Sequence, residues 1–296
     1  MVCGVRAEIL LASDVPHLKI SRADGSASTG GDKGNVSADD GATQEGREID
    51  MKGLDLLVPN IELATGCSPQ YLPGQPPSVL AQSLSTRIRE GLFSTGVVGE
   101  EGMGIWYQHP NLPNESEMDE MMEEDGETTT DPASEQWEIK GFWTLYIDIL
   151  FISLDGNPFD AAWAAVMAAL HDVRLPRAYW DADREMILCS DAVAESRKLQ
   201  LRGLPMAVTA VVFKTKERGG SAQGTSKWIL VDPDMFEEGL CDESVTLIVD
   251  RGEEGAKTRI LGMSKVGGGV VGKKEMREVL ELAEKRWMEF AKVIKG

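Results

Sequence analysis

The alternation of apolar and polar positions changes period sharply between Trp143 and Leu170. Residues 143–152 are rich in β-formers, Trp143-Thr-Leu-Tyr-Ile-Asp-Ile-Leu-Phe-Ile, and predict a long strand. A turn, Leu154-Asp-Gly-Asn-Pro-Phe-Asp, follows, and no charge occurs from Ala161 to Leu170. That stretch predicts a helix apolar on every side, which protein must cover on every side. It is too short to cross a bilayer.

Other elements follow from the same reading. Val2, Ala7, Ile9 and Leu11 partly alternate and predict a strand at the start of the chain. Order returns at Leu54-Asp-Leu-Leu-Val-Pro-Asn-Ile-Glu-Leu. A loop with Pro73, Pro76 and Pro77 then leads to Ser78, a helix cap. Leu80, Leu84 and Ile88 give that helix one buried face, and Gly91 is expected to end it. Ile105-Trp106-Tyr107 reads as a short strand. Runs beginning at Met186, Pro205, Lys227, Ser244 and Lys257 predict a meander of strands. From about Lys273, the residues Met276, Leu280, Ala283, Trp287, Phe290 and Ile294 form one apolar stripe of a final helix. One middle helix, one terminal helix and many strands define an α+β domain. The expected architecture is mixed β-sheets packed on a buried central helix and a C-terminal helix. Two stretches break the pattern: residues 21–50, rich in Gly, Ser, Asp and Ala, and residues 110–136. Both read as disordered inserts in a single domain over 1–296.

Charge sharpens this picture. The 296 residues carry a formal net charge of −19. Eight acids fall between Glu115 and Glu127, and no lysine or arginine occurs from Glu90 through Ile139. Such a chain repels phosphate as a whole, so it is no free-standing nucleic-acid binder without a local basic patch or basic partners. Arg197, Lys198 and Arg202 form the densest positive cluster and, with Arg87, are the candidate RNA contacts. Cys3, Cys67, Cys189 and Cys241 lie far apart and are expected as reduced, buried thiols. No metal site and no cofactor are expected. No leader follows Met1 and no run of about 18 apolar residues occurs, so no membrane association is expected. Trp143, Trp163, Trp180, Trp228 and Trp287 sit in apolar contexts and are expected in the core.

Two helix starts bear on chemistry. At the first, Asn157 is placed to cap, Pro158 suits the first helical position, and Asp160 falls in the first turn. Asp160 reads as a capping carboxylate facing the positive end of the helix. A helix start also binds phosphate, but here Asp160 would fill or repel that place, and no arginine is expected nearby to offset it. At the second, Gly267-Gly-Gly-Val-Val-Gly-Lys-Lys matches the opening of a nucleotide-phosphate loop. Lys274, however, stands where a magnesium-binding Ser or Thr is needed, and no βαβ pattern follows. A Gly-rich turn before a helix is the simpler reading.

Asp155-Gly-Asn-Pro-Phe-Asp-Ala-Ala, after the strand containing Asp148, resembles the ribonuclease PH family. The resemblance narrows to ring subunits of the eukaryotic RNA exosome. Met1-Val-Cys-Gly-Val-Arg-Ala-Glu, Val58-Pro-Asn-Ile-Glu-Leu, Cys67-Ser68 with its Pro/Gly loop, and Leu145-Tyr-Ile-Asp-Ile support it. So do Leu175-Pro176, Val231-Asp-Pro with Glu237-Glu238, and Gly267-Gly-Gly before the last helix. The resemblance implies further strands upstream of Met1. It implies partners: other ribonuclease PH-like ring subunits, cap subunits, and single-stranded RNA passing through the ring. Active members attack RNA with phosphate held by a threonine-arginine pair at the central helix. Pro158 and Phe159 stand at those positions here. The family's catalytic aspartate corresponds to Glu238, beside Glu237. The resemblance therefore implies a non-catalytic subunit, with no catalytic residues, serving ribosomal RNA processing and 3'-5' RNA degradation in nucleus, nucleolus and cytoplasm. The alternative is an active phosphate-dependent 3'-5' exoribonuclease.

Overall fold

The computed structural model describes residues 1–15, 54–72, 74–99, 102–108, 137–214, 227–241, 243–252 and 257–295. The expected inserts at 21–50 and 110–136 lie outside the described residues. The elements that matter for function are two sheets with a helix between them.

The first sheet is built around β4 (Trp137–Phe151). β1 (Val2–Leu11) pairs antiparallel with one side of it, from Val2 opposite Leu150 to Leu11 opposite Gly141. The other side is shared. β2 (Leu57–Leu63) runs parallel to its second half, and β3 (Gly104–Gln108) antiparallel to its first. β4 is thus covered on both edges, which suits its run of buried Phe142, Leu145, Ile147 and Ile149.

Helix α1 (Val79–Thr95) starts where Ser78 accepts from the Ala81 amide at 3.2 Å. It does not stop at Gly91 but continues to Thr95, with Gly96 as its left-handed end. Gly91 serves packing instead. A Cβ there would lie 2.4 Å from the Trp163 ring, so its absence lets α1 approach the central helix.

That central helix, α2 (Pro158–Asp172), buries Phe159, Ala162, Trp163, Val166, Met167 and Leu170. It is not covered all round as its composition suggested: Ala161 and Ala168 are exposed. Small β-pairs follow: β5 (Arg174–Leu175) with β8 (Arg197–Lys198), and β6 (Ala178–Asp181) with β7 (Met186–Cys189).

The second sheet is antiparallel, in the order β10 (Lys227–Val231), β9 (Met206–Lys214), β11 (Glu243–Arg251), β12 (Thr258–Val266). Between β10 and β11 lies a short helix, α3 (Met235–Leu240). Helix α4 (Lys273–Lys295) closes the domain against β9, β10 and β11. Of the expected stripe it buries Ala283 and Trp287, with Met276, Leu280, Phe290 and Ile294 partly buried against the core; Val279 and Ala291, outside that stripe, are buried as well. The α2 helix packs on β9 of this sheet and on β1 and β4 of the other. One continuous apolar core therefore joins both sheets. Two ring N–H groups tie it together at the same turn: Trp163 donates to Pro205 O and Trp287 to Leu204 O, each at 2.8 Å.

Two composition-based expectations fail on burial. Trp228 is 66% exposed, because β10 is an edge strand and this side chain points away from the core. None of the four thiols is fully buried, and Cys189 is exposed. Burial and Asp148 together push the Cys3 thiol up to about 11, so it stays protonated at neutral pH. No helix among the described residues is long and apolar enough to cross a membrane.

Candidate functional site at the mouth of the central helix

The turn before α2 is made by two left-handed residues, Gly156 (φ 84°) and Asn157 (φ 41°). A Cβ at Gly156 would meet Pro233 O and the Asp234 carbonyl carbon at 2.4 Å. The turn therefore lies directly on the loop between β10 and α3. That close approach brings the acids of residues 232–238 to the helix mouth.

Asn157 is buried but makes no side-chain cap. Its Nδ2 instead donates to Asp160 Oδ2 and to Asp232 Oδ1, both at 3.0 Å, bridging two carboxylates. Its backbone N–H donates to Glu238 Oε1 at 2.9 Å. Asp232, itself left-handed at φ 62°, also accepts from Arg286 of α4 at 3.1 Å. The two adjacent glutamates have separate duties. Glu237 forms a reciprocal capping box with Asp234 at the start of α3, while Glu238 turns inward to the mouth of α2.

Asp160 is not the capping carboxylate its position suggested. It reaches across to β9, accepting from the Thr209 amide at 2.6 Å and the Thr209 hydroxyl at 2.7 Å. Thr209 stands opposite Thr246 of β11 in the sheet register, and their hydroxyl oxygens are 2.9 Å apart. Thr209 spends its one proton on Asp160, so Thr246 donates to Thr209. Thr246 in turn accepts from Arg87 Nη2 at 3.4 Å. A directed chain results: Arg87 to Thr246 to Thr209 to Asp160.

Arg87 overturns the expectation that no guanidinium stands near this helix start. It comes from α1, far away in sequence, and stacks 4.2 Å above the Phe159 ring. Burial lowers its proton affinity somewhat, and Asp160 and Glu238 work the other way; an arginine remains a cation. Burial raises the Asp160 carboxyl above its ordinary value, despite the hydrogen bonds from Asn157 and Thr209. Burial raises Glu238 as well, with Asp160 and Asp234 adding to it and the Asn157 amide and Arg87 opposing it. Arg87, Phe159 and Thr246 line one end of a cavity of about 300 Å³ that also touches Glu90, Met263 and Ser264.

The other predicted basic residues lie elsewhere. Arg197, Lys198 and Arg202 line a separate cavity of about 280 Å³ with Gly99, Gly102 and Leu175. Arg197 donates to Gly102 O at 2.9 Å, and the Arg202 amide to Val97 O at 2.7 Å. These three come together as the sequence suggested; Arg87 does not join them. Sequence reading missed Thr209, Thr246, Asp232 and Arg286. Thr209 carried a signal, since it is a lone polar residue inside the apolar run 206–213; Thr246 alternates with Ser244 and stands out less. Among the described residues, no group of three His, Cys, Asp or Glu side chains is arranged to hold a metal ion.

The turn Gly267-Gly-Gly-Val-Val-Gly is no nucleotide loop. It follows β12, which runs antiparallel to β11, rather than a parallel strand. Lysines hold it down: Lys227 Nζ donates to Val270 O at 2.9 Å and Lys265 Nζ to Gly267 O at 3.1 Å. Beneath it lies the buried Glu243, paired with Lys214 and, at 3.6 Å, with Lys265.

Two sheets around a central helix, closed by a C-terminal helix, form an α+β domain of the ribonuclease PH type. Residues 18–176 match the model for domain 1 of the 3' exoribonuclease family, and residues 203–286 the model for its domain 2. The chain belongs to that family. It is similar to the exosome complex component rrp43 of Schizosaccharomyces pombe, 28% identical over 78% of this chain and 67% of that protein. It is also similar to the exosome complex component Rrp42 of Aeropyrum pernix, 34% identical over 43% of this chain and 39% of that protein. The chain thus spans about two thirds of the first relative's length and less of the second's. Among solved structures, the Archaeoglobus fulgidus exosome with RNA bound to the active site aligns with a TM-score of 0.48, at 20% identity, covering 96% of this chain and 77% of that one.

Proposed function

We propose that this chain is a structural, non-catalytic subunit of an RNA exosome ring, supporting 3'-5' RNA degradation and ribosomal RNA processing. One observation carries the reading. The mouth of α2, where an attacking phosphate would need donors, is occupied by the chain's own groups. Pro158 has no N–H, Phe159 offers a ring, and the Asn157 amide is already taken by the Glu238 carboxylate. An attacking phosphate dianion needs fixed, unspent positive donors. Here the nearby cations meet the chain's own acids: Arg87 faces Asp160 and Glu238, and Arg286 pairs with Asp232.

The similarity to exosome components of a yeast and an archaeon supports ring membership. The partners are then other ribonuclease PH-like ring subunits and cap subunits, with single-stranded RNA passing through the assembly. Arg197, Lys198 and Arg202 are the RNA contacts of this reading, through backbone charge and not base identity. Nucleus, nucleolus and cytoplasm are its places of work. Arg87 beside two carboxylates is the observation that favours the rival reading, an active phosphate-dependent 3'-5' exoribonuclease.

Incubation of the purified chain, alone and co-expressed with ring partners, with single-stranded RNA and phosphate tests this. The expected result is no nucleoside diphosphate attributable to this chain and a stable complex with the partners. Release that disappears in Glu238→Gln overturns the non-catalytic reading. A monomer indifferent to every ring partner overturns the ring.

A further inference from the structure

The cavity beside Arg87 has walls from four elements that are distant in sequence. Arg87 and Glu90 come from α1, Phe159 from α2, Thr246 and Ile248 from β11, and Met263 from β12. At about 300 Å³ it stands at the lower bound of small-molecule pockets, with room for one planar ring system. Its lining is mainly apolar with a few polar groups, the mixture that orients such a ligand.

Two of those polar groups are unspent. A guanidinium carries five N–H donors. Among the described residues, Arg87 makes one hydrogen bond, the long 3.4 Å contact with Thr246, and no ion pair. Glu90 lies three residues further along α1, on the same side of the helix. It is exposed and, among the described residues, has neither a hydrogen bond nor an ion pair. The Phe159 ring beneath Arg87 fixes the plane of its fork. Arg87 already faces Asp160 and Glu238, so a phosphate gains little from its charge. What fits is a neutral, planar molecule with acceptors for a fork of N–H groups and donors for a carboxylate beside it.

We infer that this cavity binds a guanine base. Guanine O6 and N7 accept from the Arg87 fork, the pairing by which arginine most often reads a base. Its N1–H and N2–H groups, on the adjoining edge, donate to the Glu90 carboxylate. Phe159, Ile248 and Met263 offer apolar contact to the rings. Adenine carries an amino group where guanine has O6, and that group would meet the Arg87 donors. Cytosine and uracil have no N7. This use of the cavity rests on the RNA-facing reading only for the source of the base, an unstacked residue of the passing strand.

Ligand-detected NMR on the full chain tests it with the four ribonucleosides, which carry no phosphate. Guanosine should bind, and the other three about tenfold more weakly or not at all. Arg87→Lys keeps the cation facing Asp160 and Glu238 but loses the fork, and Glu90→Gln changes an exposed group. Each should weaken guanosine binding about fivefold or more. Unchanged circular dichroism and Tm confirm that both variants fold. Raising salt from about 50 to about 200 mM should leave guanosine binding unchanged, because no phosphate is neutralised. An oligouridylate with a single guanine should displace guanosine where an all-uridine strand does not; guanosine binding without that displacement assigns the cavity to the free nucleoside instead. Equal binding of all four nucleosides, binding of none, a steep salt dependence, or indifference to both variants overturns the inference. The nucleoside measurements involve neither phosphorolysis nor a ring partner, so their failure leaves the non-catalytic ring reading standing.

Discussion

Two helices of this protein begin at glycine-containing turns, and the two mouths have opposite character. At α2, the carboxylates of Asp160, Asp232 and Glu238 converge, held by Asn157, Thr209 and Arg286, with Asp232 at the exposed rim. At α4, lysines hold an outer turn over a single buried glutamate. The difference lies in what each turn packs on. The α2 turn lies on another loop's backbone, and burial there resists the charge of Asp160 and Glu238. The α4 turn lies at the surface, where Lys214 and Lys265 hold the Glu243 carboxyl below its ordinary range. Helix starts are generic anion sites; at α2 packing fills the place from within.

The contrast should be breakable from the backbone outward. Gly156→Val is the most damaging change, because it forces a side chain into the 233–235 backbone and a left-handed φ onto a branched residue. A loss of about 3 kcal/mol or more is expected in urea unfolding. Gly268→Ala at the other turn meets no atom within 4 Å and should shift the midpoint by no more than about 0.5 kcal/mol.

Next in size is Asp160→Ala. It leaves the Thr209 amide and hydroxyl without their acceptor and takes one of two acceptors from Asn157 Nδ2, for an expected loss of about 2–3 kcal/mol. The same unfolding curves measure it. Asp160→Asn, which retains one carbonyl oxygen for these donors, should lose less.

The pH dependence separates the two mouths by sign. Asp160 and Glu238 are raised above their ordinary 3.8 and 4.5. The native state therefore holds more protons than the unfolded chain from about pH 4 upward. Their joint effect is a stability that falls as pH climbs through their native pKa values. Glu243 is lowered, so its contribution is present above 4.5 and disappears as pH drops through its native value. Unfolding midpoints across pH should show a shallower decline toward neutrality in Glu238→Gln. Glu243→Gln should instead lose less stability on acidification. Identical pH profiles for the two variants would remove the contrast.

The smallest expected effect is at the α4 start. Lys274→Glu exchanges an unfavourable cation for a favourable anion and should raise Tm slightly, by the equivalent of about 0.3–1 kcal/mol.

Much of the framework was legible along the chain. The strand–turn–helix at 143–172, the stripe from Met276 to Ile294 and the strand runs at 205–214 and 244–250 all stand where apolar periodicity put them. Periodicity works there because one element's burial is a local matter of which positions share a face. It failed where a neighbour decided. Gly91 reads as a helix stop, but α1 runs through it because Trp163 needs the space. Trp228 reads as core, but its strand lies at an edge. The strand read from Trp143 starts six residues earlier, at Trp137, and nothing in its pattern tells that β4 takes a parallel partner on one half and an antiparallel one on the other.

The sequence by itself determined that an acid-bearing turn feeds an apolar helix and that Pro158 and Phe159 open that helix. Only the tertiary structure decided that Asp160 serves β9 and not its own helix, that Glu238 takes the Asn157 amide, and that Arg87 stands over Phe159. The reason is distance along the chain. Hydrogen bonds and ion pairs form between groups brought together by sheet register and helix packing, 49 residues apart for Asp160 and Thr209 and 81 for Asn157 and Glu238. No local period encodes such a meeting, so the identity of a carboxylate's partner belongs to the fold.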